Sequence, residues 1–291
     1  MKNCTLIDNA TGEVLSEDFK ITELQDIRER KVFAQKDKLS KEFKELQDKI
    51  SGNFVFFIFK NMEFLKENLN DNDLVKFIYI GTYVKKEGVL MLDNNVTYID
   101  KRRLRSLLNV GDKAFNTFYN KMLENNLMKE HDGKLYINFY YFWRGKESDY
   151  KKFTNVNLED YTRIYTKATR ELYNQIPGRG HKKLAIVFKL LPYVNWKYNI
   201  LCKNTNEVDE NKLEVLTIAD IVELLNYNKT QMARFKSDFY SLKYNEYNVF
   251  ASVQKQSDYL KSFILVNPLI YYRGNDIEQL QYLVTLFKIR N

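Results

Sequence analysis

Leu107-Leu108-Asn109-Val110-Gly111 and Leu224-Leu225-Asn226-Tyr227-Asn228 are the two stretches on which the reading of this sequence turns. Asn109-Val110-Gly111-Asp112 has the length of a turn that joins two crossed helices, and Asn226-Tyr227-Asn228 is the turn of the second stretch. Laid over each other, the flanking segments match without gaps. Phe115 falls on Met232, Phe118 on Phe235 and Met122 on Phe239; upstream, Ile99 falls on Leu216 and Leu104 on Ile221. The segments also end alike: Ile137-Asn138-Phe139 and Arg144-Gly145 match Val266-Asn267-Pro268 and Arg273-Gly274. Apolar positions, turn and terminus recur in one order, which points to an internal repeat.

Working outward, the first unit reads as a helix over 54–69, an Asn70-Asp71-Asn72-Asp73 cap and a helix over 74–84. A short strand at 89–92 follows; Tyr98-Ile99-Asp100 then leads into a helix through Leu108, and a second, crossed helix runs over 113–125. A hairpin of 127–131 with 135–142 closes the unit around Asp132-Gly133, a favoured two-residue turn. Residues 146–157 are polar and read as a connector. A helix runs from Asn157 to about Gln175, and Ile176-Pro177-Gly178-Arg179-Gly180 breaks it. The same order then returns: helix 182–194, short strand 198–201, helices 216–225 and 229–242, and a hairpin of 248–253 with 263–266. A closing helix spans 276–289. Helix, short strand, crossed helices and hairpin together describe a winged helix. The predicted fold is therefore mainly α with short β-hairpins (α+β), with two winged-helix domains in tandem. The boundaries are an N-terminal arm and amphipathic helix at 1–53, domains at 54–150 and 181–275, a linker helix and hinge at 151–180, and a C-terminal helix at 276–291.

Within the N-terminal part, residues 1–21 read as an extended or turn-rich arm and 22–50 as a helix. Leu39, Phe43, Leu46 and Ile50 form its apolar stripe. Such a stripe packs on its own domain or on a second copy, as a homodimer.

The charge of +8, from 46 basic and 38 acidic residues, favours polyanionic partners. Two cysteines, Cys4 and Cys202, make neither a disulfide framework nor a zinc pattern. No secretory signal is legible at the N-terminus, and the longest apolar run, Phe54–Phe59, is too short to span a bilayer. The expected setting is cytoplasmic, with no membrane contact.

Helical spacing sorts the residues of the second crossed helix. Phe115, Phe118 and Met122 share one face; Lys113, Asn116, Thr117 and Asn120 share the other. In the second unit the outward face carries Lys229, Thr230, Ala233, Arg234 and Ser237. A polar helix face of this kind can enter a major groove about 12 Å wide, where Asn pairs with adenine and Arg with guanine. Lys101, Arg102, Arg103 and Arg105, on the preceding helix, suit phosphate anchoring. Lys129 and Lys134 flank the first hairpin turn, and Lys255 and Lys261 the second. The implied partner is double-stranded DNA.

On these features the chain resembles the tandem winged-helix replication initiators of plasmids and phages. The resemblance covers roughly residues 54–275 and includes the closing pattern Asn267-Pro268-Leu269-Ile270-Tyr271-Tyr272-Arg273-Gly274. The opening Asp8-Asn9-Ala10-Thr11-Gly12-Glu13-Val14 looks like the start of replication and regulatory proteins of low-GC Gram-positive mobile elements. The resemblance implies binding to repeated origin sites, recruitment of replication machinery and self-association. A phage or plasmid transcription regulator is an alternative use of the same domains, and a protein-interaction module is a third.

Enzymatic signatures are absent from the sequence. It has no GxxxxGK[ST] phosphate loop, no GxSxG and no H-x-x-R segment; the two histidines, His131 and His181, have no metal-spaced neighbours. The expectation is a non-enzymatic protein without cofactor or metal.

Overall fold

Phe54–Ile58 (β3) is an inner strand of a four-stranded antiparallel sheet, where a helix was expected. An unbroken apolar run suits a strand covered on both faces as well as a buried helix, and periodicity does not separate the two. The computed structural model describes residues 2–7, 14–21, 54–255, 258–274 and 277–289. The expected helix over 22–50, with Leu39, Phe43, Leu46 and Ile50, lies outside them. Lys2–Ile7 (β1) and Val14–Ile21 (β2) pair antiparallel in a unit of their own, residues 1–49.

Residues 50–291 form the second unit, a mixed α and β structure. After β3 come the helices Met62–Asn68 (α1), Asp71–Gly81 (α2), Lys101–Leu108 (α3) and Asp112–Glu124 (α4). Met128–His131 (β4) and Lys134–Ile137 (β5) form a hairpin, and Phe142–Trp143 (β6) returns to the sheet beside β3. Helix Glu147–Thr154 (α5) replaces the expected polar connector: it buries Tyr150, which meets Trp143 edge-to-face with ring centroids 5.4 Å apart.

Tyr161–Tyr165 (β7) then opens a second series, inside the stretch read as a linker helix. It continues with Thr166–Gln175 (α6), His181–Lys189 (α7), Ile218–Leu224 (α8) and Met232–Tyr240 (α9). Two hairpins follow: Lys243–Tyr244 (β8) with Tyr247–Asn248 (β9), and Phe250–Lys255 (β10) with Asp258–Val266 (β11). Tyr271–Tyr272 (β12) completes the sheet, and Ile277–Ile289 (α10) closes the chain's described part.

The sheet order β12-β7-β3-β6 makes the repeat a symmetry. Each series starts on an inner strand and ends on the edge strand beside it. Phe56 pairs with Trp143 on one side, and Arg163 pairs with Tyr272 on the other. Phe56 and Arg163 pair with each other at the centre. A two-fold relation through that central pair exchanges the two series. Helices α2 and α7, equivalent by this relation, pack together. Asp71 at the start of α2 ion-pairs with Lys189 at the end of α7, so the two run antiparallel.

Local details repeat as well. Asn109 and Asn226, at the two matched turns, both adopt left-handed backbone, with φ of 49° and 56°. Asparagine accepts that conformation more readily than most residues. Asn138 donates from Nδ2 to the Asn126 carbonyl and accepts from the Tyr140 amide. Asn267 donates to the Asn248 carbonyl and accepts from the Leu269 amide in the same way.

His181 is buried against the Tyr173 ring, with Nε2 3.1 Å from the Tyr173 carbonyl oxygen. Burial lowers its pKa. The unfolded chain takes up this proton near pH 6.5 and the folded chain resists it, so stability is greatest above that pH and falls below it. The urea midpoint should therefore drop between about pH 7.5 and about pH 5.5, and His181→Gln should shrink that drop. An identical pH dependence in the variant would show that His181 takes no part.

Candidate nucleic-acid interface

Helix α3 is capped by Asp100, whose carboxylate accepts from the Arg103 amide at 2.7 Å. Leu104 and Leu108 are buried, which turns Lys101, Arg102, Arg103 and Arg105 outward; all four are exposed. Three of the four are already engaged. Lys101 Nζ sits 4.4 Å from the Tyr119 ring centroid. The Arg103 guanidinium donates to the Tyr98 carbonyl at 2.9 Å, and Arg105 ion-pairs with Asp112. The Arg102 guanidinium has no protein acceptor among the described contacts, so it is the member best placed to meet an anion.

Helix α4 buries Phe115, Phe118, Tyr119 and Met122 and exposes Lys113, Asn116, Thr117 and Asn120. The two faces fall where helical spacing puts them. Thr117 Oγ1 donates to the Lys113 carbonyl at 2.9 Å, leaving the hydroxyl mainly an acceptor. The β4–β5 turn is Asp132-Gly133, with φ of 50° and 69°, the left-handed pair a two-residue hairpin turn uses.

This hairpin is less basic than Lys129 and Lys134 alone suggest. Glu130 accepts from the Tyr119 hydroxyl at 2.6 Å, and Asp132 lies 3.2 Å from His131. Lys134 lies 4.1 Å from the Tyr98 ring centroid and Lys129 5.4 Å from that of Tyr136. The half-exposed Tyr98 was missed from sequence, because it reads there only as the approach to a helix.

In the second series the helix starts later than expected. Lys229 and Thr230 belong to a 3-10 turn, Lys229–Gln231, capped by Asn228, which accepts from the Thr230 amide and hydroxyl. Lys229 pairs with the exposed Glu223 at 3.1 Å. Arg234 and Ser237 lie exposed on α9, opposite the buried Phe235 and Phe239, and Lys236 joins them on the surface. Lys255 and Lys261 lie on the β10 and β11 backbones, and their side chains are outside the described residues.

A further concentration of positive charge gathers residues far apart in sequence. Arg170 donates to the Thr82 side chain and carbonyl and ion-pairs with Asp93. Lys85 lies 3.5 Å from the same Asp93. Burial, and then the nearby Arg144, lower the Lys85 pKa.

Among the described residues, no group of three or more His, Cys, Asp and Glu could hold a metal ion, and no helix is long and apolar enough to cross a membrane. Comparison with protein families, with curated proteins and with solved structures gives no match.

Proposed function

We propose that this chain binds double-stranded DNA through two winged-helix domains in tandem, with α4 and α9 as the helices that enter the major groove. One observation carries the reading: in both series the polar face of the second crossed helix is exposed, while its other face is fixed by buried aromatics. A helix held rigidly on one side and uncovered on the other is what base-edge contact requires. The basic residues of α3 lie alongside, where they would meet phosphates. The resemblance noted above extends the proposal to replication initiation at repeated origin sites, with the chain acting as a non-enzymatic binder.

Footprinting on DNA of the chain's own genetic element tests this directly. Protection of an array of direct repeats is the expected result. No protection of any fragment at low salt would overturn DNA binding. A second measurement tests the phosphate role of Arg102. Log K should fall with log salt by about 0.9 per phosphate contact, and Arg102→Ala should make that slope shallower by about one contact. The loss should be the same on specific and random DNA. An unchanged slope would place α3 away from the backbone.

A further inference from the structure

Each series clamps its second crossed helix to the second helix of the series, α2 or α7, with an ion pair, and the two pairs have opposite polarity. In the first series Asp73 of α2 meets Lys121 of α4 at 2.6 Å. In the second, Lys183 of α7 meets Asp238 of α9, also at 2.6 Å. Asp73 and Lys183 are both the third residue of their helices, α2 and α7. Counting from the matched turns, Lys121 and Asp238 are equivalent too: each stands three residues beyond an aromatic of the matched core, Phe118 and Phe235. The position is kept and the sign is exchanged.

Local helix electrostatics does not account for the exchange. A carboxylate near a helix N-terminus and an ammonium near a C-terminus both suit the helix dipole. The first series follows that rule: Asp73 lies in the first turn of α2 and Lys121 in the last turn of α4. The second series breaks it at both ends, with Lys183 near the start of α7 and Asp238 near the end of α9.

What the exchange does achieve is discrimination. Helices α2 and α7 pack side by side, so each second crossed helix has two similar docking faces within reach during folding. The matched core positions of α4 and α9 are apolar in both, Phe118 corresponding to Phe235 and Met122 to Phe239, whereas the ion pairs differ in sign. Misassembly between like units is a characteristic failure of repeated architectures. In the exchanged arrangement Asp73 would face Asp238, and Lys183 would face Lys121. Like charges at both clamps penalise it, while both native clamps attract.

We propose that the sign reversal is a keying device that keeps α4 on α2 and α9 on α7, within one chain and between copies. The test is a pair of double variants of the full chain. K183D/D238K restores the dipole-favoured polarity, preserves attraction in the native clamp, and makes the exchanged arrangement attractive as well. K183A/D238A removes the second clamp without rewarding exchange. Both are unfolded in urea, diluted to a range of protein concentrations, and followed by refolding rate and by the fraction recovered as the native-size species.

The expected result is that K183D/D238K melts at or above the parent temperature, yet refolds with a severalfold larger slow or associated fraction than K183A/D238A, increasingly so at higher concentration. The proposal is overturned if K183D/D238K refolds as completely and as fast as the parent, or if K183A/D238A is equally impaired. It is also overturned if K183D/D238K loses native stability that K183A/D238A keeps, because the surroundings of α7 would then dictate the sign.

Discussion

Asp73→Ala is expected to lower the unfolding free energy by about 3–5 kcal/mol, the loss typical when one partner of a buried ion pair is removed. Asp73 is 5% exposed and accepts from two lysines, Lys76 at 3.0 Å and Lys121 at 2.6 Å. Its amide also donates to the Asn70 side-chain oxygen at 3.0 Å, the cap at the start of α2. Lys76 is 8% exposed, and without the carboxylate its main remaining neighbour is the Phe118 ring, 5.0 Å away. An ammonium left with a ring face alone recovers only part of what it loses. The counterpart Asp238→Ala should cost no more than about 1 kcal/mol, because Lys183 is 43% exposed and water takes over its solvation. Urea unfolding followed by circular dichroism separates the two. Similar small losses at both sites would show that the first clamp is no more protected from water than the second.

Asn116→Ala and Arg234→Ala should each reduce the ratio of specific to random DNA affinity by about tenfold or more, from the loss of roughly 1–3 kcal/mol in one base contact. Both residues are exposed, and each sits on the helix face opposite the buried aromatics. Melting temperatures should hardly move, since surface changes away from special features usually stay within about 0.5 kcal/mol. Arg234→Lys is informative beside the alanine change. It keeps the charge and loses the planar fork, so random-DNA affinity should hold while specific affinity falls. Equal losses on both DNAs would make these residues phosphate contacts, and no loss on either would move the reading face elsewhere.

The repeat was legible because it is written in residue types that backbone geometry constrains. Asn109 and Asn226 occupy left-handed positions, and Asn138 and Asn267 bind the same pair of backbone groups. The faces of α4 were legible because an amphipathic helix between solvent and core has little choice. The sheet was not. Phe54–Ile58 is apolar at every position, so it lacks the alternation that marks a half-exposed strand. Tyr161–Tyr165 alternates in burial as far as Ile164, but its sequence Tyr-Thr-Arg-Ile-Tyr does not alternate in polarity, and it runs directly into α6 with no Gly or Pro between, so propensity alone merged the two. Phe142–Trp143 and Tyr271–Tyr272 are two residues each, too short for any pattern. For the interface, exposure could be read from spacing, but engagement could not: the Arg105–Asp112 pair and the Arg103 bond to the Tyr98 carbonyl depend on three-dimensional placement.

The inner position of β3 also sets the order of events on the ribosome. Its first sheet neighbour, Phe142–Trp143, is made long after it, and its second, Tyr161–Tyr165, later still. At roughly 5–20 residues per second, the run Phe54-Val55-Phe56-Phe57-Ile58 stands without a strand partner for several seconds of synthesis. Nascent chains of this protein should thus present a short hydrophobic segment to the chaperones that survey the exit tunnel, and release from them should coincide with emergence of the residues around Trp143.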